Sequence, residues 1–389
     1  MAIKKNSVYL QNNFFCRTRA LDLYRIQKYL LDNNYNIVDK PDMAEYIIVS
    51  TCGTVEQSTI KSIKQIEELQ KYKGVLIVIG CLPDTDTKEM NAVFKGRSIR
   101  NVDLCRLDEI FFRTHSYREY EAIQMEMQNG EFCLEICRGC VERCSYCAIR
   151  NAVGDLKSLP VNECKKHIDI SLSQHVKKIV LGAENAGAYG LDLGVSLSDL
   201  LYTINLPSNS HILRINNLHP RFLIRNIEAI KSHAANKTIG LLKIPIQSGS
   251  QKVLDSMRRI YNIGEVINCI SDIRNIDNSI IFMTDIIIGF PGEEIEDVHV
   301  TLEVVKRYFD IGRIFLFTPK INTEANLYKD NISFFEKKKR LSNFVKMLNE
   351  YGMVIGINDD LINTFSRKIE EFDLNNPYAQ DAINLFNKK

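Results

Sequence analysis

In the stretch Cys137-Arg138-Gly139-Cys140-Val141-Glu142-Arg143-Cys144-Ser145-Tyr146-Cys147, three cysteines, Cys140, Cys144 and Cys147, are separated by three and then two residues. That spacing lets one short loop wrap three thiolates around a face of an iron–sulfur cluster. Three thiolates leave one iron of a four-iron cube without a protein ligand. An open iron is a place for a reactant, whereas a fourth cysteine would favour electron transfer. A zinc knuckle and a cysteine-rich core loop are the alternatives; zinc normally takes four ligands, and no histidine lies near.

Such a loop needs a scaffold. The first hundred residues alternate strands and helices: strands over 8–11, 46–50 and 74–80, helices over 20–31 and 54–69. This order predicts a parallel sheet flanked by helices, with ligands at the carboxyl ends of the strands. One cysteine follows each strand: Cys16, Cys52 and Cys81. The ends of parallel strands share one edge, so these three could hold a second cluster with one iron open. Otherwise they are small buried hydrophobes, a common fate of free cysteine.

The segments Val49-Ser50-Thr51-Cys52 and Ile79-Gly80-Cys81-Leu82, the loop from Gly139 to Cys147, Gly182-Ala183-Glu184-Asn185, Ile244-Pro245-Ile246-Gln247-Ser248-Gly249-Ser250 and Thr284-Asp285-Ile286-Ile287-Ile288-Gly289-Phe290-Pro291-Gly292-Glu293 together resemble the methylthiotransferases. These are radical S-adenosylmethionine (SAM) enzymes that replace C–H with C–S–CH3, and the similarity runs over about residues 7 to 345. The resemblance implies two [4Fe-4S] clusters, one on Cys140, Cys144 and Cys147 and an auxiliary one on Cys16, Cys52 and Cys81. SAM cleaved at the first yields a 5′-deoxyadenosyl radical that takes a substrate hydrogen. A second SAM methylates sulfide carried at the auxiliary cluster, and the two clusters face one another across the substrate. An electron donor such as flavodoxin or ferredoxin is implied as well.

From Glu131 onward strands are expected over 132–136, 178–181, 212–215, 241–246, 280–288 and 313–317. Six β/α units fit the partial (β/α)6 barrel of radical SAM enzymes, with chemistry at the carboxyl ends of the strands. The fold expectation is therefore α/β: a flavodoxin-like parallel-sheet domain at 1–95, a linker at 96–130, a radical SAM domain at 131–330, and a short helical region at 331–389. By resemblance, SAM would meet Tyr146 before the third cysteine, the backbone of Gly182, Glu184 and Asn185, and the adenine edge at Gly289 and Phe317. Gln247 and Ser248 would offer hydrogen bonds to ribose or substrate, and Arg214 or Arg259 would pair with a carboxylate. Each polar side chain also has a structural alternative, Glu184 as a cap or bridge in particular. Two departures bear on the substrate. Lys243 stands where the family usually has His, and Phe317-Thr318-Pro319-Lys320-Ile321-Asn322-Thr323 replaces a Tyr-Ser-Pro-Arg-Pro-Gly-Thr-like turn.

Composition narrows the partners. Of 389 residues 45% are hydrophobic and 25% charged, and no apolar run reaches bilayer-spanning length, so a cytoplasmic protein without membrane contact is expected. Eleven cysteines without a secretory signal suit metal or redox use. Cys133 and Cys137 are expected on one packed face; Cys105, Cys164 and Cys269 are expected in the core. The net charge of +2 gives no global attraction to RNA. The run Lys337-Lys338-Lys339-Arg340 reads as a solvated helix face, and the tail has helix-like pieces such as 379–386 in place of the RNA-gripping TRAM barrel. A peptide or protein side chain is therefore the favoured substrate and a tRNA base near the anticodon the alternative. A non-catalytic iron–sulfur protein is the reading from another class.

Overall fold

The computed structural model describes residues 5–12, 17–127, 130–359, 362–373 and 375–379. The chain divides into two compact units, the first made of 1–125, 146–154 and 318–326, the second of 126–145, 155–317 and 327–389. Among the described residues no helix is long and apolar enough to cross a membrane.

The first unit is built on a sheet of β1 (Ser7–Gln11), β2 (Asn36–Ile37), β3 (Tyr46–Thr51), β4 (Val75–Gly80) and β5 (Arg97–Ser98), in the order β2-β1-β3-β4-β5 with all pairings parallel. This is the flavodoxin-like order. Alternate side chains of a strand face opposite ways, so Ile48 enters one core with Ile26, Tyr29 and Leu30 of helix Arg17–Asp32. Ile47 and Val49 enter the other, with Ile66 and Leu69 of helix Glu56–Leu69.

Of the stretch expected to be a linker, residues 96–125 are part of this unit. Leu104, Leu107, Phe111, Tyr117 and Tyr120 complete the first core, and Tyr29 meets the rings of Phe111, Tyr117 and Tyr120 edge-on at 5.7 to 6.4 Å. Asn33 accepts the backbone N–H groups of Thr114 and His115 at 2.6 and 2.9 Å. Short 3-10 turns over Asn101–Glu109 and Tyr117–Tyr120 carry Leu104, Leu107, Tyr117 and Tyr120. They lack the 3.6-residue period that marks a helix, so the sequence reads there as a connection between domains.

In the second unit the parallel strands are β7 (Glu131–Glu135), β10 (Lys178–Gly182), β11 (Leu213–Ile215), β12 (Ile239–Lys243), β13 (Ile281–Ile288) and β14 (Ile311–Leu316), each beside the next. These are the six strands expected from the sequence. β6 (Met125–Met127) lies at one edge, and a small ladder pairs β8 (Cys137–Arg138) with β9 (Lys157–Ser158). The other edge corrects the expectation of a helical tail. After helix Phe334–Glu350, β15 (Val354–Asp359) and β16 (Ile362–Ser366) form a hairpin that adds antiparallel to β14. Strands this short, mixed with Asn, Asp and Gly, carry little periodic signal. The expected helix at 379–386 falls, beyond Ala379, outside the described residues. At the amino ends of the strands, Tyr378 donates its hydroxyl to the carbonyls of Ile179 and Ile212 at 3.1 and 2.7 Å. Asn376 donates to those of Gly240 and Ser279 at 2.8 and 2.9 Å.

Candidate active site

The cysteine loop leaves the carboxyl end of β7 and is closed at its stem by the β8–β9 ladder. Gly139 opens it with φ +89°, and a Cβ there would stand 2.2 Å from the carbonyl oxygen of Asp155, so only glycine fits. The loop is pinned at several points. Gly139 donates its N–H to Glu184 Oε2 at 3.1 Å, which gives Glu184 the bridging role. Ser145 is bonded through its N–H and hydroxyl to the carbonyls of Met257 and Ser256, both at 3.0 Å. Glu142, between the first two cysteines, is buried; Arg221 Nη2 stands 2.7 Å from one of its oxygens and His219 Nε2 3.7 Å from the other. Burial, with Arg259 and Arg221 nearby, holds His219 well below its ordinary pKa and therefore neutral. Glu142, His219 and Arg221 were missed in the sequence; the only available signal was an acidic residue between two cysteines.

Arg259 is one of the two arginines expected to pair with a carboxylate. The structure instead brings its Nη1 to 3.6 Å from Cys144 Sγ, its Nη2 to the Pro245 carbonyl, and its guanidinium over the Tyr261 ring. A cationic donor on sulfur is a charge-assisted contact of the kind an iron-ligating cysteine can use. Cys140 and Cys144 belong to the second unit, whereas half-buried Tyr146 and Cys147 begin a segment of the first. In that unit helix Ile149–Val153 packs on helix Leu82–Thr85. Cys137 is no competitor. It is buried, donates toward the Asn185 carbonyl at 3.6 Å, and burial pushes its thiol well above the ordinary range. Nor does it share a face with Cys133. Cys137 joins the large core containing Leu134 and Ile136, whereas Cys133 packs against Gly182, because the strand ends at Glu135 and the alternation breaks. Cys164 is a core thiol, and Cys105 and Cys269 sit half-buried at core edges.

Among the other expected SAM contacts, Asn185 is distinctive. Its side chain is buried, and neither amide atom has a hydrogen-bond partner. Orphaned buried amides are costly, so this pair suits a ligand's polar groups. Gly182 ends β10, beside the Cys133 sulfur. Arg214 donates to Asn216 at 2.7 Å. Gln247 is buried at φ +70° and its backbone bridges to β13. The Ser248 hydroxyl is engaged by Thr301 and by the Ser250 N–H, a structural role. At Gly289, expected at the adenine edge, a Cβ would lie 2.7 Å from Lys337 Cγ. The Lys337 ammonium stands 4.9 Å from the centre of the Phe317 ring, which also meets Phe290 edge-on. Lys337 is buried and bonded to Asp330, and Arg340 donates to the Glu293 carbonyl and to Glu336. Half of the basic run is thus tied up internally rather than solvated.

Lys243, the departure noted in the sequence, is buried 2.9 Å from Asp285 Oδ2, and Arg313 holds the same carboxylate at 2.8 and 3.0 Å. Burial, with Arg313 and Arg214 nearby, pushes Lys243 down to about 8. Burial alone would raise Asp285, but Arg313 and Lys243 hold it well below the carboxylate range.

Glu293 is buried, accepts the Gly289 N–H at 2.7 Å, and is raised by burial from 4.5 to about 7. A raised acid contributes stability that is complete below its unfolded pKa and lost as pH rises through the folded one. Glu293→Gln is therefore expected to flatten the fall in thermal stability between pH 5 and 8. At the upper end it removes on the order of 3 kcal/mol of ionisation cost, checked by unfolding scans at each pH.

In the first unit, Thr51 of β3 is the register partner of Gly80 of β4, so Cys52 and Cys81 are the next residues on adjacent strand ends. Gly80 at φ +104° permits the approach; a Cβ there would stand 2.2 Å from the Thr51 carbonyl oxygen. Cys52 is half-buried and bonded to Thr54 at 3.1 Å. Buried Cys81 accepts from Asn101 at 3.4 Å. Cys16 lies outside the described residues. Among the described residues no three His, Cys, Asp or Glu side chains close on a single ion. A cube is wider, each thiolate standing on its own iron. Soft sulfur donors at neighbouring strand ends, and the loop with an arginine on Cys144, fit such clusters.

Residues 134–305 match the Radical SAM superfamily, and residues 9–99 match Uncharacterized protein family UPF0004. A Pyrococcus horikoshii protein described as "Probable threonylcarbamoyladenosine tRNA methylthiotransferase" is 27% identical over 360 residues, 88% of this chain and 84% of its own length. "Ribosomal protein uS12 methylthiotransferase RimO" of Petrotoga mobilis is 28% identical over 354 residues, 86% of this chain and 80% of its own. The structure of the radical SAM methyltransferase TsrM from Kitasatospora setae, at 13% identity, superposes with a TM-score of 0.57 over 82% of this chain and 76% of its own, a likeness of fold. A Radical SAM match thus follows a UPF0004 match in this chain, and over most of its length the chain is similar to methylthiotransferases.

Proposed function

We propose that this protein inserts a methylthio group into an unactivated C–H bond of a peptide or protein side chain. Cys140, Cys144 and Cys147 would hold the SAM-binding cluster, and Cys52 and Cys81, with Cys16, the auxiliary one. The observation that carries the reading is the second pair of thiols, on adjacent strand ends of a separate parallel sheet. One cluster accounts for radical formation; sulfur insertion calls for another. When bound, the clusters and SAM supply the electron, the radical, the sulfur and the methyl group.

The protein's own residues hold and shield. Glu142, Glu184 and Ser145 fix the cysteine loop, Arg259 donates to the Cys144 sulfur, and the Asn185 amide offers SAM a donor and an acceptor. Asn185→Ala is expected to weaken SAM binding about tenfold, roughly 1.4 kcal/mol for the lost hydrogen bonding, measured by equilibrium dialysis on the reconstituted protein.

The peptide substrate is supported by the near-neutral charge and by the uS12-directed relative. It is supported too by the longest basic run, in which Lys337 and Arg340 are tied up in internal bonds instead of facing a phosphate backbone. The second reading, methylthiolation of a tRNA adenosine, is favoured by relatives such as the P. horikoshii protein. Reconstituted enzyme with SAM and dithionite, given either bulk tRNA or candidate peptides, separates them. The expected result is a methylthio mass gain on peptide; a gain on tRNA alone would overturn it.

A further inference from the structure

Within the first unit, buried Lys320 reaches two segments at once. Its Nζ is 2.9 Å from Asp86 Oδ1 and donates to Thr59 Oγ1 at 2.7 Å. Thr59 lies in helix Glu56–Leu69, which begins four residues after Cys52. Asp86 directly follows helix Leu82–Thr85, whose N-cap is Cys81. Thr85 ties back to the Cys81 carbonyl at 3.1 Å. The other oxygen of Asp86 is buried without a partner and lies against the residue after Cys52: a Cβ on Gly53 would be 2.5 Å from it. The backbone of Lys320 is itself set by Thr323, whose N–H and hydroxyl bond to its carbonyl at 3.0 and 2.7 Å.

A buried ion pair of this kind contributes little net stability, because both charges lose their water. What it does supply is geometry. One ammonium spans the segments that follow two neighbouring thiols, and its partner carboxylate is pressed against the turn after Cys52. We propose that Lys320 is a positioning residue of the auxiliary iron–sulfur cluster, setting the spacing of Cys52 and Cys81 and balancing the Asp86 charge beside them. The inference rests on the reading of those cysteines as cluster ligands. Reduction adds negative charge to a cluster, so a neighbouring carboxylate left without its cation disfavours the reduced form and lowers the potential.

The test uses the full chain carrying Cys140→Ala, Cys144→Ala and Cys147→Ala, so that only the auxiliary cluster forms. Iron per chain and the midpoint from an EPR-monitored redox titration are read. Lys320→Met is expected to lower iron occupancy at least twofold and to shift the midpoint of the remaining cluster downward, while Lys320→Arg keeps both near the parent. A merely structural lysine would leave the midpoint of the remaining cluster unmoved, and that result overturns the proposal. Should Lys320→Met fail to fold, Thr59→Val decides. It deletes one hydrogen bond and no charge; a smaller loss of occupancy is expected, and occupancy and midpoint equal to the parent's overturn the proposal. A parent that binds no iron refutes the auxiliary cluster itself, a different failure from an iron-loaded parent insensitive to position 320.

Discussion

Cys81→Ala, and separately Cys52→Ala, is expected to split the chemistry in two. Bound iron in reconstituted protein falls from about eight to about four per chain, methylthiolated product disappears, and 5′-deoxyadenosine still forms on reduction. The loop at 140–147, proposed to hold the SAM-binding cluster, draws on other cysteines and its own set of bonds, so losing the sheet-edge pair is expected to leave it standing. Alanine is the suitable replacement at position 81, since a serine hydroxyl would bring a polar group into a buried place. Product in undiminished yield from either variant would remove Cys52 and Cys81 from the reaction.

The converse separation comes from Arg221→Met. It leaves the buried Glu142 side chain without its close cation inside the cysteine loop. Breaking one side of a buried pair costs about 3–5 kcal/mol, and here the cost falls on one loop rather than on a whole core. Iron should again drop from about eight to about four, but now 5′-deoxyadenosine formation falls more than tenfold while the auxiliary cluster remains. Adding Glu142→Gln removes the stranded carboxylate and should restore much of the loss. A single variant that forms 5′-deoxyadenosine at the parent rate would show that the loop holds itself without Arg221.

These variants mark what could be read from sequence. Cys140, Cys144 and Cys147 stand out as candidate ligands through their local spacing, and Cys52 and Cys81 because each follows a strongly apolar strand. The groups that hold them do not. Asp86 and Lys320 are 234 residues apart in the chain, and no local pattern pairs them. Arg221 reaches Glu142 only because consecutive strands lie side by side. Arg259 was singled out as a cation, but whether it meets a carboxylate or a sulfur is decided by the turn after Ser256, not by its identity. Gly289 was legible as a special backbone position, φ +83°; that Lys337 fills the space beside it depends on a helix forty-odd residues later. Likewise the tail strands and the aromatic turns at 101–120 take their form from the surfaces they cover.

The bonds from Asn376 and Tyr378 to the amino ends of four strands have a consequence for the order of assembly. Tyr378 meets partners 199 and 166 residues earlier, and Asn376 one 136 residues earlier. Contacts of such sequence separation form late, after the loops between them have been closed. During synthesis the carbonyls of Ile179, Ile212, Gly240 and Ser279 therefore lack these side-chain donors until residues 376 and 378 have emerged.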